Sequence, residues 1–192
     1  MVNKVQKVLL VGGSISDFGE GMLGPLFALF AQKIGGDILQ ISWASALYLL
    51  VVGILTIIVG KYSDKWSKEK MMIWGYSLSA IFTFSYILVS SPLHLFIVQV
   101  GLGIATALAM PTWNALYSEW SENKKHGSSW GWASGLSRII GGVSIVVGGF
   151  LVNFFSFNTL FIIMGTIQAM ATIYQAKIIY MNKKEIKGNL WK

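Results

Sequence analysis

Three charged residues stand inside long apolar stretches of the sequence. Asp17 and Glu20 are three positions apart, so a helix would place them on one face. Arg138 stands near the middle of another apolar stretch. A charge at the centre of a bilayer costs at least about 2.5–3.5 kcal/mol on insertion scales, and such residues usually face a water-filled cavity and bind protons or a charged solute. The alternative is a structural ion pair of Arg138 with Asp17 or Glu20.

The composition excludes several classes of protein. The chain has 192 residues, of which 54% are hydrophobic and 12% are charged. In soluble domains roughly 45–50% of the residues are apolar and about 25% are charged. A soluble core of this size could not bury so much apolar surface, which argues against a soluble enzyme, a nucleic-acid-binding domain or a disordered chain. There is no cysteine, and His94 and His126 are far apart, so we expect no metal and no cofactor.

Six apolar runs account for most of the chain. They cover residues 8–31, 38–60, 71–93, 95–117, 130–152 and 157–179. Each run is long enough to cross a hydrocarbon layer of about 30 Å as a helix. Helices are required because lipid offers no hydrogen-bond partners to the backbone. The sequence therefore predicts an all-α polytopic membrane protein, with residues 1–192 forming a single domain of six transmembrane helices.

The basic residues predict the orientation. The net charge is +7, and all of the 15 lysines and arginines except Lys33 and Arg138 fall on one side of this arrangement. By the positive-inside rule, both termini are expected on the cytoplasmic side of the cell membrane. The first apolar run continues past Asp17 without a small-residue cleavage site, so we interpret it as a retained helix and not as a signal peptide.

Two prolines suggest an internal repeat. Pro25 and Pro111 each fall past the midpoint of their own predicted helices, the first and the fourth. This placement is typical of two inverted units of three helices, a 3+3 inverted repeat. Coincidence is the alternative, because membrane helices tolerate proline.

The fourth run contributes further candidates for a solute site. Gln99 and Trp113 share one helical face, and Asn114 lies beside it. Polar and aromatic groups at helical spacing could line a solute path, or they could join helices to one another. The fifth run is rich in glycine and serine, which indicates close packing of helices.

The loop after the second run carries the most specific motif. In "GKYSDKWSKEK" a carboxylate, Asp64, follows Gly60 by four positions, and Lys65 and Lys68 come next. This pattern resembles the major facilitator superfamily of secondary transporters. "SDFGEGMLGPLFALFAQKIG" is similar to the family's first helix, "GLGIATALAMPTWNALYSEW" to its fourth, and "GWASGLSRIIGGVSIVVGGFLVNFFSFNTLF" to its fifth and sixth. Ile97 stands where the family has an arginine, and Ser144-Ile145 stands where antiporters have glycine-proline.

The resemblance implies a fold and a function. Family members have two six-helix halves related by an axis along the membrane normal, and this chain resembles the first half. It would act as a half-size transporter by alternating access, with a second copy as partner in a homodimer. The residues Gly60, Asp64, Lys65 and Lys68 would form a gating loop, in which Asp64 caps the partner's fifth helix near residues 127–130.

Several alternatives concern the solute and the partner. The first helix is similar to drug-efflux members, which suggests proton-coupled export of amphipathic or cationic compounds, and sugars or other metabolites are the alternative. We expect no enzyme, because the sequence carries no nucleophile constellation, metal site or nucleotide-binding loop. Symport and antiport, and uptake and export, are equally compatible with the sequence. The chain could instead need a different half encoded separately. It could also be a non-transporting membrane subunit or a gene remnant.

Overall fold

The described part of the protein is entirely helical. The structure is a computed structural model and describes residues 4–63, 65–120 and 126–189. Its elements are α1 (Lys4–Gly21), α2 (Leu26–Lys33), α3 (Ile38–Ser63), α4 (Lys68–Ser85), a 3₁₀ turn (Tyr86–Leu88), α5 (Pro92–Glu119), α6 (His126–Phe154) and α7 (Phe157–Asn189). These residues include no strand, so the predicted all-α fold is confirmed.

Five of the helical segments are long and apolar enough to cross a membrane. They are Ile38–Tyr62, Lys68–Leu88, Pro92–Glu119, Gly127–Phe154 and Phe157–Met181. They correspond to the second through sixth predicted runs, with ends that differ by up to three residues in most cases. The exception is the third run, predicted over residues 71–93, which ends at Leu88, and Pro92 already begins the next helix. The two longest segments have 28 residues each and span about 42 Å at 1.5 Å per residue.

The first predicted run, residues 8–31, is not one continuous helix. α1 ends at Gly21, a turn covers residues 22–25, and α2 begins at Leu26. Gly24 in this turn has φ of +21°, and Pro25 has no backbone N–H to continue a helical hydrogen-bond pattern. α1 also carries four charged residues in its 18 positions. A sixth crossing made by α1 and α2 together stays a prediction.

The helices pack in a defined order. α3 packs on α5, α5 on α4, α4 on α7, α7 on α1, and α1 on α6. α3 and α6 are therefore the two ends of the row. Take α1 with α2 as the first crossing and α3 to α7 as the second to sixth. Exchanging crossings one, two and three with four, five and six then leaves this set of contacts unchanged, which is the symmetry that a 3+3 repeat predicts. The prolines do not match, however, because Pro25 lies in a turn and Pro111 lies inside α5.

Two clusters of buried side chains form the core. One surrounds Phe30, Tyr86 and Phe161, where the Phe30 and Phe161 rings meet edge to face with centroids 4.8 Å apart. The other surrounds Leu9, Met72 and Ile178. Together they hold α1 and α7 against α4 and α5, and these are the elements that position most of the residues around the cavity described next.

Candidate functional site

A cavity of about 380 Å³ lies between α1, α4, α5 and α6. This volume falls within the range of about 300–1,000 Å³ that is usual for small-molecule sites. Its wall combines carboxylates of α1 with indole and amide groups of α5 and hydroxyl groups of α4 and α6. The cavity therefore has the polar and aromatic groups that a small organic solute requires.

The structure brings Asp17 and Glu20 to the wall of this cavity. Asp17 is half-buried, and its carboxylate lies close to the hydroxyl group of Ser137 on α6. Glu20 is solvent-exposed although it lines the same cavity, and it is close enough to Tyr48 of α3 for electrostatic interaction. Their spacing of three residues explains why both point to one side of α1.

Arg138 is not part of this wall. It is exposed, and within the described residues no ion pair joins it to Asp17 or Glu20. The expected pairing is therefore not present in the single chain. The reason is its angular position: Ser134 and Ser137 face the cavity, and the next residue along a helix is turned by about 100°.

α5 contributes Trp113 and Asn114 to the wall but not Gln99. The cavity-lining part of α5 begins at Ala105, and Gln99 lies more than one turn before it. Gln99 is buried with 7% of its surface exposed, so it belongs to the contacts between helices.

An aromatic cluster lies beside the cavity, and two of its members, Trp113 and Trp130, line the wall. Trp113 donates its indole N–H to the carbonyl oxygen of Leu9 at 3.3 Å and stacks on Tyr117 with ring centroids 4.9 Å apart. The Tyr117 hydroxyl donates to the carbonyl oxygen of Ser129 at 2.8 Å, and Trp130 meets the Tyr117 ring edge-on at 5.3 Å. These contacts tie α5 to α1 and α6.

Sequence reasoning missed part of the wall. Tyr76 and Ser79 of α4, Ser16 of α1 and Ser137 of α6 also line the cavity. Ser16 donates a hydrogen bond of 2.7 Å to the side-chain oxygen of Gln168, which accounts for one buried amide. The sequence does not distinguish a serine or a tyrosine that lines a cavity from one that packs between helices. The positions of these serines and of Tyr76 were therefore not predictable.

The predicted gating loop is described only in part. Gly60 is near the end of α3, Lys65 is exposed, and Asp64 lies outside the described residues. Lys68 opens α4 and forms a salt bridge with Glu119 at the end of α5. The loop is therefore linked to α5, while the role of Asp64 stays a prediction.

The family model for the Major Facilitator Superfamily matches residues 9–189. The chain belongs to this superfamily. The match covers every helix around the cavity, so the resemblance seen in the loop and in four helices is confirmed. The superfamily is one of membrane transporters, and with its apolar helices the chain is a multi-pass membrane protein.

Several relatives share this sequence at low identity. The MFS-type transporter MJ1560 of Methanocaldococcus jannaschii is 25% identical, covering 89% of this chain and 43% of its own length. The MFS-type transporter YitZ of Bacillus subtilis is 22% identical, covering 75% of this chain and 88% of its own length. The multidrug resistance protein MdtG of Erwinia billingiae is 22% identical, covering 86% of this chain and 41% of its own length. The chain thus spans less than half of two of these relatives and most of the third.

Proposed function

We propose that this chain is a half-size secondary transporter that moves a small solute by alternating access between two copies of itself. The observation that carries the proposal is the cavity, whose wall holds two carboxylates and leaves one of them, Glu20, exposed. An acid so deep in an apolar protein is costly unless it faces water or a binding partner. A second copy across this open side would enclose the cavity. The match to most of YitZ agrees with a unit of this size.

The wall favours a cationic or amphipathic organic solute. Two carboxylates supply negative charge, and the Trp113 and Tyr76 rings supply faces that attract cations. Relatives named multidrug resistance protein MdtG support a drug-like organic solute. We further propose that protons drive transport and that Asp17 and Glu20 exchange them with the solute. Both termini would lie on the cytoplasmic side of the inner membrane, as the lysine distribution predicts.

Transport by the reconstituted protein tests this function. Proteoliposomes with an imposed pH gradient are expected to move a fluorescent organic cation such as ethidium, and a protonophore is expected to abolish the movement. A sugar and an organic anion serve as comparison solutes. Cation movement that is unaffected by the protonophore would contradict proton coupling, and no movement of any of the three solutes would contradict transport.

Trp113→Ala is expected to weaken binding of the cation. A cation over an indole face contributes about 1–2 kcal/mol when desolvated, so the Kd should rise about fivefold to thirtyfold. Trp113→Phe keeps an aromatic face and should have a smaller effect. Isothermal titration calorimetry of the purified protein measures both. The control is Trp132→Ala, because Trp132 lies on the outside of α6 with 68% of its surface exposed. An equal loss in the two alanine variants would contradict a role for Trp113 in the site.

Asp64→Asn is expected to slow transport without preventing folding. A carboxylate at a helix N-terminus is worth typically about 0.3–1 kcal/mol, so losing the cap on the partner's α6 should reduce the transport rate roughly twofold to fivefold. Initial rates in proteoliposomes give this value, and the elution profile in size-exclusion chromatography shows whether the protein folds. Asp37→Asn, which removes a carboxylate outside this loop, is the control. An unchanged rate in Asp64→Asn would rule out the gating role.

A further inference from the structure

α1 presents two different sides to the rest of the protein. One side carries the two acids, Asp17 and Glu20, and lines the cavity. The side next to it carries Gly12, Ser16 and Gly19, which are buried. Asp17 follows Ser16 directly, so the two sides are turned by about 100° from each other. The contacts that hold the buried side therefore also set the direction in which both acids point.

The two glycines of this buried side bring α1 very close to α7. A Cβ atom added at Gly12 would lie 2.2 Å from Cγ of Gln175, and one added at Gly19 would lie 3.1 Å from Cγ2 of Ile167. Small residues allow such close approach between membrane helices. Contact between apolar atoms has no preferred direction, however. It holds α1 against α7 without fixing how α1 is rotated about its own axis.

Ser16, between the two glycines, adds contacts that do have a direction. Its hydroxyl group donates to the side-chain oxygen of Gln168 on α7 at 2.7 Å. The side-chain nitrogen of Gln168 donates in turn to the backbone carbonyl oxygen of Ser16 at 3.2 Å. The two residues have 5% and 1% of their surface exposed, so both bonds lie in a region of low dielectric, where they are strong. One amide group thus binds a single residue of α1 at two points, and one of these points is the main chain.

This pair of hydrogen bonds opposes rotation of α1. A hydrogen bond weakens steeply when its angle closes, and both bonds reach Ser16 from one amide group, so a turn of α1 breaks the two together. A turn by about 100°, the step between neighbouring residues, would exchange the direction of Asp17 for that of the apolar Phe18. A leucine or methionine at position 168 would fill the same space on α7 but supply neither bond.

We infer that Gln168 is a positioning residue of the carboxylate site, which it holds through Ser16. Gln168 belongs to α7, whereas the cavity lies between α1, α4, α5 and α6. Because α1 carries both acids, its rotation determines whether their charges face a bound cation. The preference of the protein for charged over uncharged solutes therefore depends on a buried amide behind the wall. The inference rests on the proposed function, since it requires that Asp17 and Glu20 bind the charge of the solute.

Binding of a charged and an uncharged solute of similar shape tests this role. Ethidium and dihydroethidium, its uncharged reduced form, are such a pair, and anaerobic buffer prevents oxidation of the second. Isothermal titration calorimetry of the purified protein is expected to show tighter binding of ethidium. Gln168→Met keeps the length of the side chain and removes both hydrogen bonds. Because small displacements of binding groups are costly, it should raise the Kd of ethidium about tenfold and that of dihydroethidium less than about twofold.

Two variants of α7 serve as controls, and a third repeats the test. Ile167→Ala removes the apolar contact with Gly19 and is expected to lower the unfolding temperature while leaving the ratio of the two Kd values unchanged. Thr172→Val removes a hydroxyl group that donates to the backbone carbonyl oxygen of Gln168 within α7 at 2.8 Å, and it should also leave this ratio unchanged. Gln168→Asn has an amide too short to make both bonds to Ser16, so it should shift the ratio in the same direction as Gln168→Met.

The ratio of the two Kd values decides between the outcomes. An equal rise for both solutes in Gln168→Met would show a role in stability only and would overturn the inference, as would an unchanged Kd for ethidium. A shift of the ratio as large in Ile167→Ala as in Gln168→Met would overturn it as well. If Gln168→Met does not fold, Gln168→Asn gives the same decision.

The wild-type protein separates failure of this inference from failure of the proposed function. A wild type that prefers ethidium, together with any of the contradicting outcomes in the variants, would leave the proposed function intact. A wild type that binds the two solutes equally, or binds neither, would contradict binding of a cation by the acids and would overturn both.

Discussion

Neutralising the two acids of the cavity, with Asp17→Asn and Glu20→Gln combined, is expected to abolish proton-driven movement of the solute. In the proposed dimer the second copy would cover both acids, and removing one member of a desolvated charge interaction costs about 2 kcal/mol or more. Each single variant should therefore lose at least roughly 30-fold in rate. The double variant should fall to the rate of empty vesicles. Initial rates in proteoliposomes under a pH gradient give these values.

The same variants are expected to fold normally. Arg138 does not pair with Asp17 or Glu20 in the described structure, so neutralising the acids leaves no buried cation without its partner. The unfolding temperature should therefore stay near that of the wild type. This outcome separates a binding role from the structural ion pair that the sequence also allowed, because a structural pair predicts a loss of stability.

Asp37→Asn is the control for loss of a carboxylate. Asp37 lies outside the cavity and accepts a 2.7 Å hydrogen bond from the Gln40 backbone N–H at the start of α3. Asparagine serves equally well as an N-cap, so transport should be unchanged. Wild-type transport by the double variant at positions 17 and 20 would contradict the proposed site.

Gly148→Ala is expected to have the largest effect on stability. The added Cβ would lie 2.1 Å from the Met22 carbonyl oxygen and 2.8 Å from its carbonyl carbon, so α6 and the turn that follows α1 would have to separate. Overpacking of this kind typically costs about 1–3 kcal/mol. Because α1 and α6 form two walls of the cavity, the variant should also bind solute weakly. Thermal unfolding of the monomer in detergent measures the change in stability.

The next residue provides the matched control for Gly148. Gly149 is the adjacent residue of the same helix, yet a Cβ atom there would meet nothing within 4 Å. Gly149→Ala is therefore expected to unfold at the wild-type temperature in the monomer. If both variants lost the same stability, the contact between Gly148 and Met22 would not be the cause, and helix propensity could not explain the loss because alanine favours a helix more than glycine does.

The helices after the first were predictable because hydropathy alone determines them. A run of more than twenty apolar residues has no other stable form in lipid. The interruption at residues 22–25 was not predicted, since hydropathy averages over a run and ignores backbone angles. Gly24 and Pro25 were visible in the sequence, but the positive φ of Gly24 was not. The structure shows that the chain turns at these residues and that Met22 in this turn packs against Gly148 of α6.

The candidate site was predictable where the residues share one helix. Asp17 and Glu20 reach the same cavity because their spacing fixes a common face, and Trp113 with Asn114 followed from the same argument on α5. The placement of Arg138 required the rotation of α6 relative to α1, and the glycine and serine contacts that determine it come from both helices. The prediction for Gln99 was wrong for a related reason. Gln99 shares a helical face with Trp113, but it lies at a different height along α5, outside the cavity.

The stoichiometry of the protein in lipid tests the central claim most directly. Native mass spectrometry of the purified chain, of 21.1 kDa, released from lipid nanodiscs reports how many copies assemble. The proposed half-size transporter predicts two copies, with the cavity shared between them. A single copy at every protein concentration would contradict a transporter made of two identical halves.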